Sequence, residues 1–186
     1  YQKLGPAIRI AWAILPPGTR EQPTLMARLK QTGVAAVRLF PQSHRYLMNR
    51  VVWGSLLDQI SEARLPVFLS LEHGCTWDQV YALLADYPKL TCVLCDIGTW
   101  SMDRYTYPLA RYPNVYLETS MLAITDGGVE EAIRQFGALR LLFGSGFPRR
   151  YLEAARLNLT HARISAGARD LIAAQNLFRL FKETSL

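Results

Sequence analysis

The chain has 186 residues, half of them hydrophobic and 19% charged, with 21 Lys and Arg against 15 Asp and Glu for a formal net charge of +6. That length holds one domain with a substantial core, and the composition excludes a disordered chain. The basic residues are scattered rather than massed into a stripe with interleaved aromatics, and no apolar run reaches the roughly 20 residues that cross a bilayer. The expectation is therefore a cytoplasmic protein with neither nucleic acid nor membrane as partner.

Ile8 to Leu15 is an apolar strand closed by Pro16-Pro17-Gly18. Pro23 to Thr32 has Leu25, Met26 and Leu29 at helical spacing and Gly33 as a stop. Val34 to Phe40 is the second strand, ended by Pro41, and Asn49 to Arg64 carries the helical stripe Val52, Leu56, Leu57, Ile60. Then follow strand Pro66 to Leu71, helix Trp77 to Asp86, strand Leu90 to Ile97, short helix Tyr105 to Arg111 and strand Asn114 to Thr119. Helix Val129 to Phe136 leads to strand Leu141 to Phe143, and the tail returns to helix over Arg150 to Leu157 and Ala166 to Phe181.

Strands that alternate with helices and carry apolar residues on both faces are the pattern of parallel βαβ units. Cys75, Cys92 and Cys95 are read as free thiols, and the C-x-x-C of Cys92 and Cys95 as core, because it lies within a strand rather than at a turn or helix start. Residues Tyr1 to Pro6 show no export signal.

Polar groups at the strand ends decide between an open nucleotide-binding sheet and a barrel. No G-x-G-x-x-G follows the first strand. Instead the ends read Arg38, Ser70 with Glu72 and His73, Asp96, Glu118 with Ser120, and Ser145, all of which a (β/α)8 barrel would turn toward one mouth. Six βα units are visible where a closed barrel has eight. The fold expected is one α/β TIM-type barrel domain over 1–186 with its N-terminal strands missing; a second copy covering the gap, as a homo-oligomer, is the other way to close the sheet.

Leu65-Pro-Val-Phe-Leu, Tyr87-Pro-Lys-Leu-Thr-Cys-Val-Leu-Cys-Asp-Ile-Gly, Tyr112-Pro-Asn-Val-Tyr-Leu-Glu-Thr-Ser, Arg140-Leu-Leu-Phe-Gly-Ser-Gly-Phe-Pro and Asn176-Leu-Phe-Arg-Leu occur in an order and at spacings that resemble the amidohydrolase-related family of the amidohydrolase superfamily. The likeness spans essentially the whole chain. It implies a metal-dependent hydrolase or decarboxylase on a (β/α)8 barrel, in which a His-x-His pair, two later histidines and an aspartate hold a divalent metal such as zinc that activates water. This chain has no His-x-His; Ser70 and Asp96 stand where the two later histidines would be, and Gly146 where the aspartate would be. No metal or other cofactor is therefore expected.

The candidate site follows from the strand ends. Asp96 and Glu118 are the acid or base candidates, Glu118 if burial raises its pKa; the alternative for each is a hydrogen-bonded structural role at the mouth. Arg38 would clamp a substrate carboxylate or pair with a neighbouring acid. Ser70, Glu72, His73, Ser145 and Gly146 complete the substrate-binding set, with Glu72 and His73 directed to different sides if their strand continues. The glycines around Ser145 are read as a tight exit rather than a phosphate site, with Arg149 and Arg150 facing solvent. His44 is read as surface, His161 is given no role, and Trp53, Trp77 and Trp100 serve as core or loop anchors. Together these point to a hydrolase or lyase for a small carboxylate or carbonyl compound, or to an inactive barrel that binds a small molecule or serves a structural role.

Overall fold

Apolar runs with period-two alternation become six parallel strands in the computed structural model, which describes residues 8–18, 24–98, 102–124 and 126–186. The strands are β1 (Ala11–Ala13), β2 (Ala36–Leu39), β3 (Val67–Ser70), β4 (Cys92–Cys95), β5 (Val115–Glu118) and β6 (Leu141–Leu142). They pair in chain order, through registers such as Val37 with Val67 and Cys92 with Val115. An order that never reverses is that of a barrel wall; a doubly wound sheet would switch direction. Among the described residues the sheet stays open, with β1 and β6 as its edges.

The helices are α1 (Leu25–Thr32), α2 (Pro41–His44), α3 (Arg50–Glu62), α4 (Trp77–Asp86), α5 (Met102–Arg111), α6 (Gly128–Phe136), α7 (Leu152–His161), α8 (Ala166–Asp170) and α9 (Asn176–Glu183). Their ends have local causes. Gly33 closes α1 at a left-handed φ of 62°. Asn49 Oδ1 accepts from Val52 N at the start of α3, and Thr76 with Gln79 forms a reciprocal capping box on α4. The one-turn α2 escaped the sequence reading; Pro41 sits at its first position, where a missing N–H costs nothing.

Alternation along the strands sorts residues into two cores. Val37, Leu39, Val67, Leu69, Cys92, Leu94, Val115, Leu117 and Leu141 face the surrounding helices in the larger one. Phe68, Val93, Cys95, Tyr116 and Leu142 form the other, on the inner face, where Leu177 and Leu180 of α9 cover them. With both faces sealed, the strands read as continuous apolar runs. The three cysteines are buried and free; Cys92 and Cys95, three apart on one strand, lie on opposite faces.

The helix expected over Ala166 to Phe181 is present and runs to Glu183, widened by a π-helical stretch, Leu171–Gln175, between α8 and α9. The widening leaves a carbonyl for the edge of the sheet: Phe143 N donates to Ile172 O at 2.8 Å. Fully buried Asn176 donates from Nδ2 to Ala138 O and Leu141 O, both at 2.8 Å. Polar groups at a strand edge would otherwise be left unsatisfied. Among the described residues no helix is long and apolar enough to cross a membrane.

Candidate functional site

All strands run the same way, so their C-terminal ends open on one side. There Arg38, Asp96, Glu118 and the Gly144-Ser145-Gly146 turn line a cleft of about 460 Å³, whose apolar walls include Phe68, Phe143 and Phe147. That volume suits a small organic molecule.

Beside the cleft lies a cluster of charges. Ser70 Oγ donates to Asp96 Oδ2 at 2.7 Å, and Arg150 Nη1 donates to Asp96 Oδ1 at 3.0 Å. Arg150 Nη2 reaches Glu72 Oε2 at 2.5 Å, and His73 Nε2 stands 3.4 Å from that same oxygen. Asp96 is nearly buried and holds a left-handed φ of 50°, an unfavourable conformation for a residue with a Cβ. Burial alone would lower the Arg150 pKa; its hydrogen bonds to Glu72 and Asp96 outweigh this and raise it.

One expectation has its condition unmet and another is corrected. The strand does not continue into Glu72 and His73: β3 stops at Ser70, whose carbonyl accepts from Gly74 N and Cys75 N, and the turn so formed leaves the two side chains 3.4 Å apart, His73 Nε2 to Glu72 Oε2. Arg150 does not face solvent from a helix. It lies before α7, in a turn where Arg149 N and Arg150 N both donate to Gly146 O, and it folds back over the mouth, while Arg149 is exposed. The signal for this was Gly146, whose φ is 67° and whose added Cβ would lie 2.9 Å from Arg150 Nη1. A side chain there would press on the guanidinium. Ser145, expected to bind substrate, lines the cleft, but its hydroxyl accepts from Phe147 N at 3.2 Å and so braces its own turn.

Glu118 is almost buried at the end of β5. Its Oε1 accepts from Ser120 N at 2.8 Å and its Oε2 from Ser120 Oγ at 2.7 Å. Burial raises its pKa, the Ser120 bonds lower it, nearby Asp96 raises it, and the net shift is upward. Gly144 forms the wall against this carboxyl: an added Cβ would fall 1.4 Å from Glu118 Oε1. Gly144 is thus more than a tight exit; it is the space in which Glu118 lies.

Arg38 contrasts with Arg150. Its guanidinium stacks over Phe40 at 5.5 Å, and its buried Nε has no hydrogen-bond partner. Among the described residues it makes no ion pair, so the alternative in which it merely neutralises a neighbouring acid does not apply.

Other candidates fall away from this centre. Burial pushes Cys75 up to about 12, and Cys95, which lines the cleft, is raised well above its usual range by burial and by Glu118, against a lowering by Arg38. Neither is a ready thiolate nucleophile at neutral pH. His44 is exposed and packs on Phe40 and Tyr46, and His161 is exposed at the end of α7. Trp53 is fully buried, Trp77 lines a second cleft of about 780 Å³ next to Glu72 and Asp96, and Trp100 lies outside the described residues. No group of three or more His, Cys, Asp and Glu side chains that could hold a metal occurs among the described residues. The nearest donors, Asp96, Glu72 and His73, do not fit a divalent ion as they stand, because Asp96 has both oxygens engaged and Arg150 bridges it to Glu72.

Parallel strands in chain order, with their polar ends gathered at one mouth, define a protein of the (β/α)-barrel class. The sequence profile of the amidohydrolase family matches residues 4–181, and the chain belongs to that family. A comparison with curated protein sequences returns no match. Among solved structures, an uncharacterised TIM-barrel protein from Bordetella bronchiseptica superposes with a TM-score of 0.70 at 23% identity, over 85% of this chain and 60% of the other. The 2,6-dihydroxybenzoate decarboxylase from Rhizobium gives 0.64 at 19% identity, over 85% and 65% of the two chains. The 4-oxalomesaconate hydratase from Rhodopseudomonas palustris gives 0.63 at 15%, over 93% and 65%. The chain thus spans less than two thirds of the length of each of these structures. At such identities the likeness is one of fold.

Proposed function

We propose that the cleft binds a small carboxylate or carbonyl compound, and that Glu118 exchanges a proton with it in a hydrolase or lyase reaction. One observation carries this reading: Arg38 presents a buried, unpartnered Nε at a cleft it shares with Glu118. A buried donor atom without an acceptor is costly, and a ligand carboxylate would supply two hydrogen bonds to the planar guanidinium of this half-buried arginine. The Phe40 ring holds the guanidinium from the other side. Glu118, with its raised pKa, keeps a proton to higher pH than a free carboxyl and is the group suited to general acid–base work. The Gly144–Gly146 turn lines the same cleft, its two glycines leaving room for the Glu118 carboxyl and the Arg150 guanidinium. Among the structural relatives, the decarboxylase and the hydratase act on 2,6-dihydroxybenzoate and 4-oxalomesaconate, and both compounds are small carboxylates.

A second reading, binding without turnover, is favoured by one observation: Ser120 engages both Glu118 oxygens. The test is a thermal-shift screen of benzoates and short dicarboxylates, followed by turnover assays on the compounds that stabilise the protein. The proposal expects Arg38→Met to abolish the shift, and Glu118→Gln to keep it while losing product formation. An Arg38→Met protein that responds like wild type would remove the anion site. Stabilisation without product, unchanged in Glu118→Gln, would select the binding-only reading.

A further inference from the structure

We infer that Arg150 is the built-in cation of the mouth, a positioning residue that binds the Asp96 and Glu72 carboxylates where a divalent ion would otherwise have to sit. Three observations converge. The guanidinium donates from two different nitrogens to two carboxylates that approach from separate strand ends, which is what a bridging cation does. The second Asp96 oxygen is taken by Ser70 Oγ, a donor, so this carboxylate has no oxygen left without a hydrogen-bond partner. Gly146 then keeps the space clear, since its missing side chain would meet Arg150 Nη1 at 2.9 Å.

Charge reinforces the geometry. Arg150 and Arg38 already place two positive charges around this mouth, and a divalent ion added to them would meet like charge at short range. Deprotonation cannot switch Arg150 off, because a guanidinium stays charged across the working pH range. The centre is therefore permanently occupied by its own cation, and the orientation of Asp96 and Glu72 depends on it. His73, whose buried Nε2 lacks a hydrogen-bond partner and lies 3.4 Å from Glu72 Oε2, is a nearby potential ligand that Arg150 does not engage. This inference stands apart from the carboxylate reading of the cleft, for it concerns Asp96 and Glu72 and not Arg38.

The test is a titration of the protein, freed of metal by chelator and dialysis, with Mn²⁺, Co²⁺ and Zn²⁺, read by calorimetry and by thermal shift, so that no substrate is needed. Wild type is expected to bind none of them stoichiometrically and to melt at the same temperature with or without chelator. Arg150→Ala is expected to melt lower and to recover on adding the ion, which it binds about tenfold or more tightly than wild type does, because a neighbouring positive charge has gone. Should Arg150→Ala not fold, Arg150→Gln, which keeps an amide donor, undergoes the same titration. A stoichiometric, chelator-sensitive metal in wild type would overturn the inference, and so would a folded Arg150 variant that no ion stabilises.

Discussion

Two arginines at opposite ends of the same sheet, Arg140 and Arg38, show how one residue type serves two purposes. At the closed end, Arg140 donates to Tyr112 O at 2.7 Å, to Leu109 O at 3.2 Å and, from Nε, to Val115 O at 2.7 Å. It ties the start of β6 to the start of β5, and its face lies 5.7 Å from the Tyr116 ring, which Arg179 also approaches at 5.8 Å. At the mouth, Arg38 has its ring contact and no acceptor. Burial lowers the pKa of Arg140, against a smaller raising effect of neighbouring Tyr116. The difference separates the end of the barrel that satisfies its guanidinium within the fold from the end where Arg38 Nε is left without an acceptor.

Arg140→Met should break the closed end most severely. It removes a donor from the carbonyls of three residues, at a cost of about 3 kcal/mol, seen as a lower denaturant midpoint. Gly144→Ala comes next: the new methyl collides with Glu118 Oε1 and forces the carboxyl aside, at about 2 kcal/mol as for other overpacked sites. Ligand-induced stabilisation should weaken with it.

Arg38→Met sharpens the contrast with Arg140. It removes a half-buried charge that makes no ion pair among the described residues, so denaturation should show a change within about 1 kcal/mol, of either sign, while affinity for a stabilising carboxylate falls about tenfold or more. A stability loss as large as that of Arg140→Met would erase the distinction between the two ends.

The smallest effect is a pH dependence. Glu118 binds its proton more tightly folded than unfolded, so its contribution to stability falls as pH rises from the ordinary 4.5 through its raised folded value, and is level on either side. Glu118→Gln fits the same Ser120 contacts without titrating. Its stability relative to wild type should therefore increase across that window, and parallel unfolding curves at every pH would place Glu118 outside the raised range.

Much of the fold was legible because each strand obeys one local rule. Val67, Phe68 and Leu69 alternate between two cores, and both are apolar, so the run stands out against its polar surroundings. Strand ends then located Arg38, Asp96 and Glu118, since parallel strands place those ends at one mouth. Arg150 was hidden for the opposite reason: it meets Asp96 54 residues away and Glu72 78 residues away, and nothing in its own neighbourhood marks it but the small Gly146. The π turn at Leu171–Gln175 was equally hidden, because it answers to the edge of β6 and not to the periodicity of its own helix.

The placement of Cys92 and Cys95 on opposite faces of β4 gives the molecule a pair of internal reporters. Cys92 lies under the outer helices and Cys95 among the residues that α9 covers. A thiol reagent followed by mass spectrometry would read the exposure of each layer separately. Opening of the inner layer, from the cleft or by release of α9, would label Cys95 first, and loosening of the outer helices Cys92, so the order of modification would reveal which layer of the barrel opens more readily.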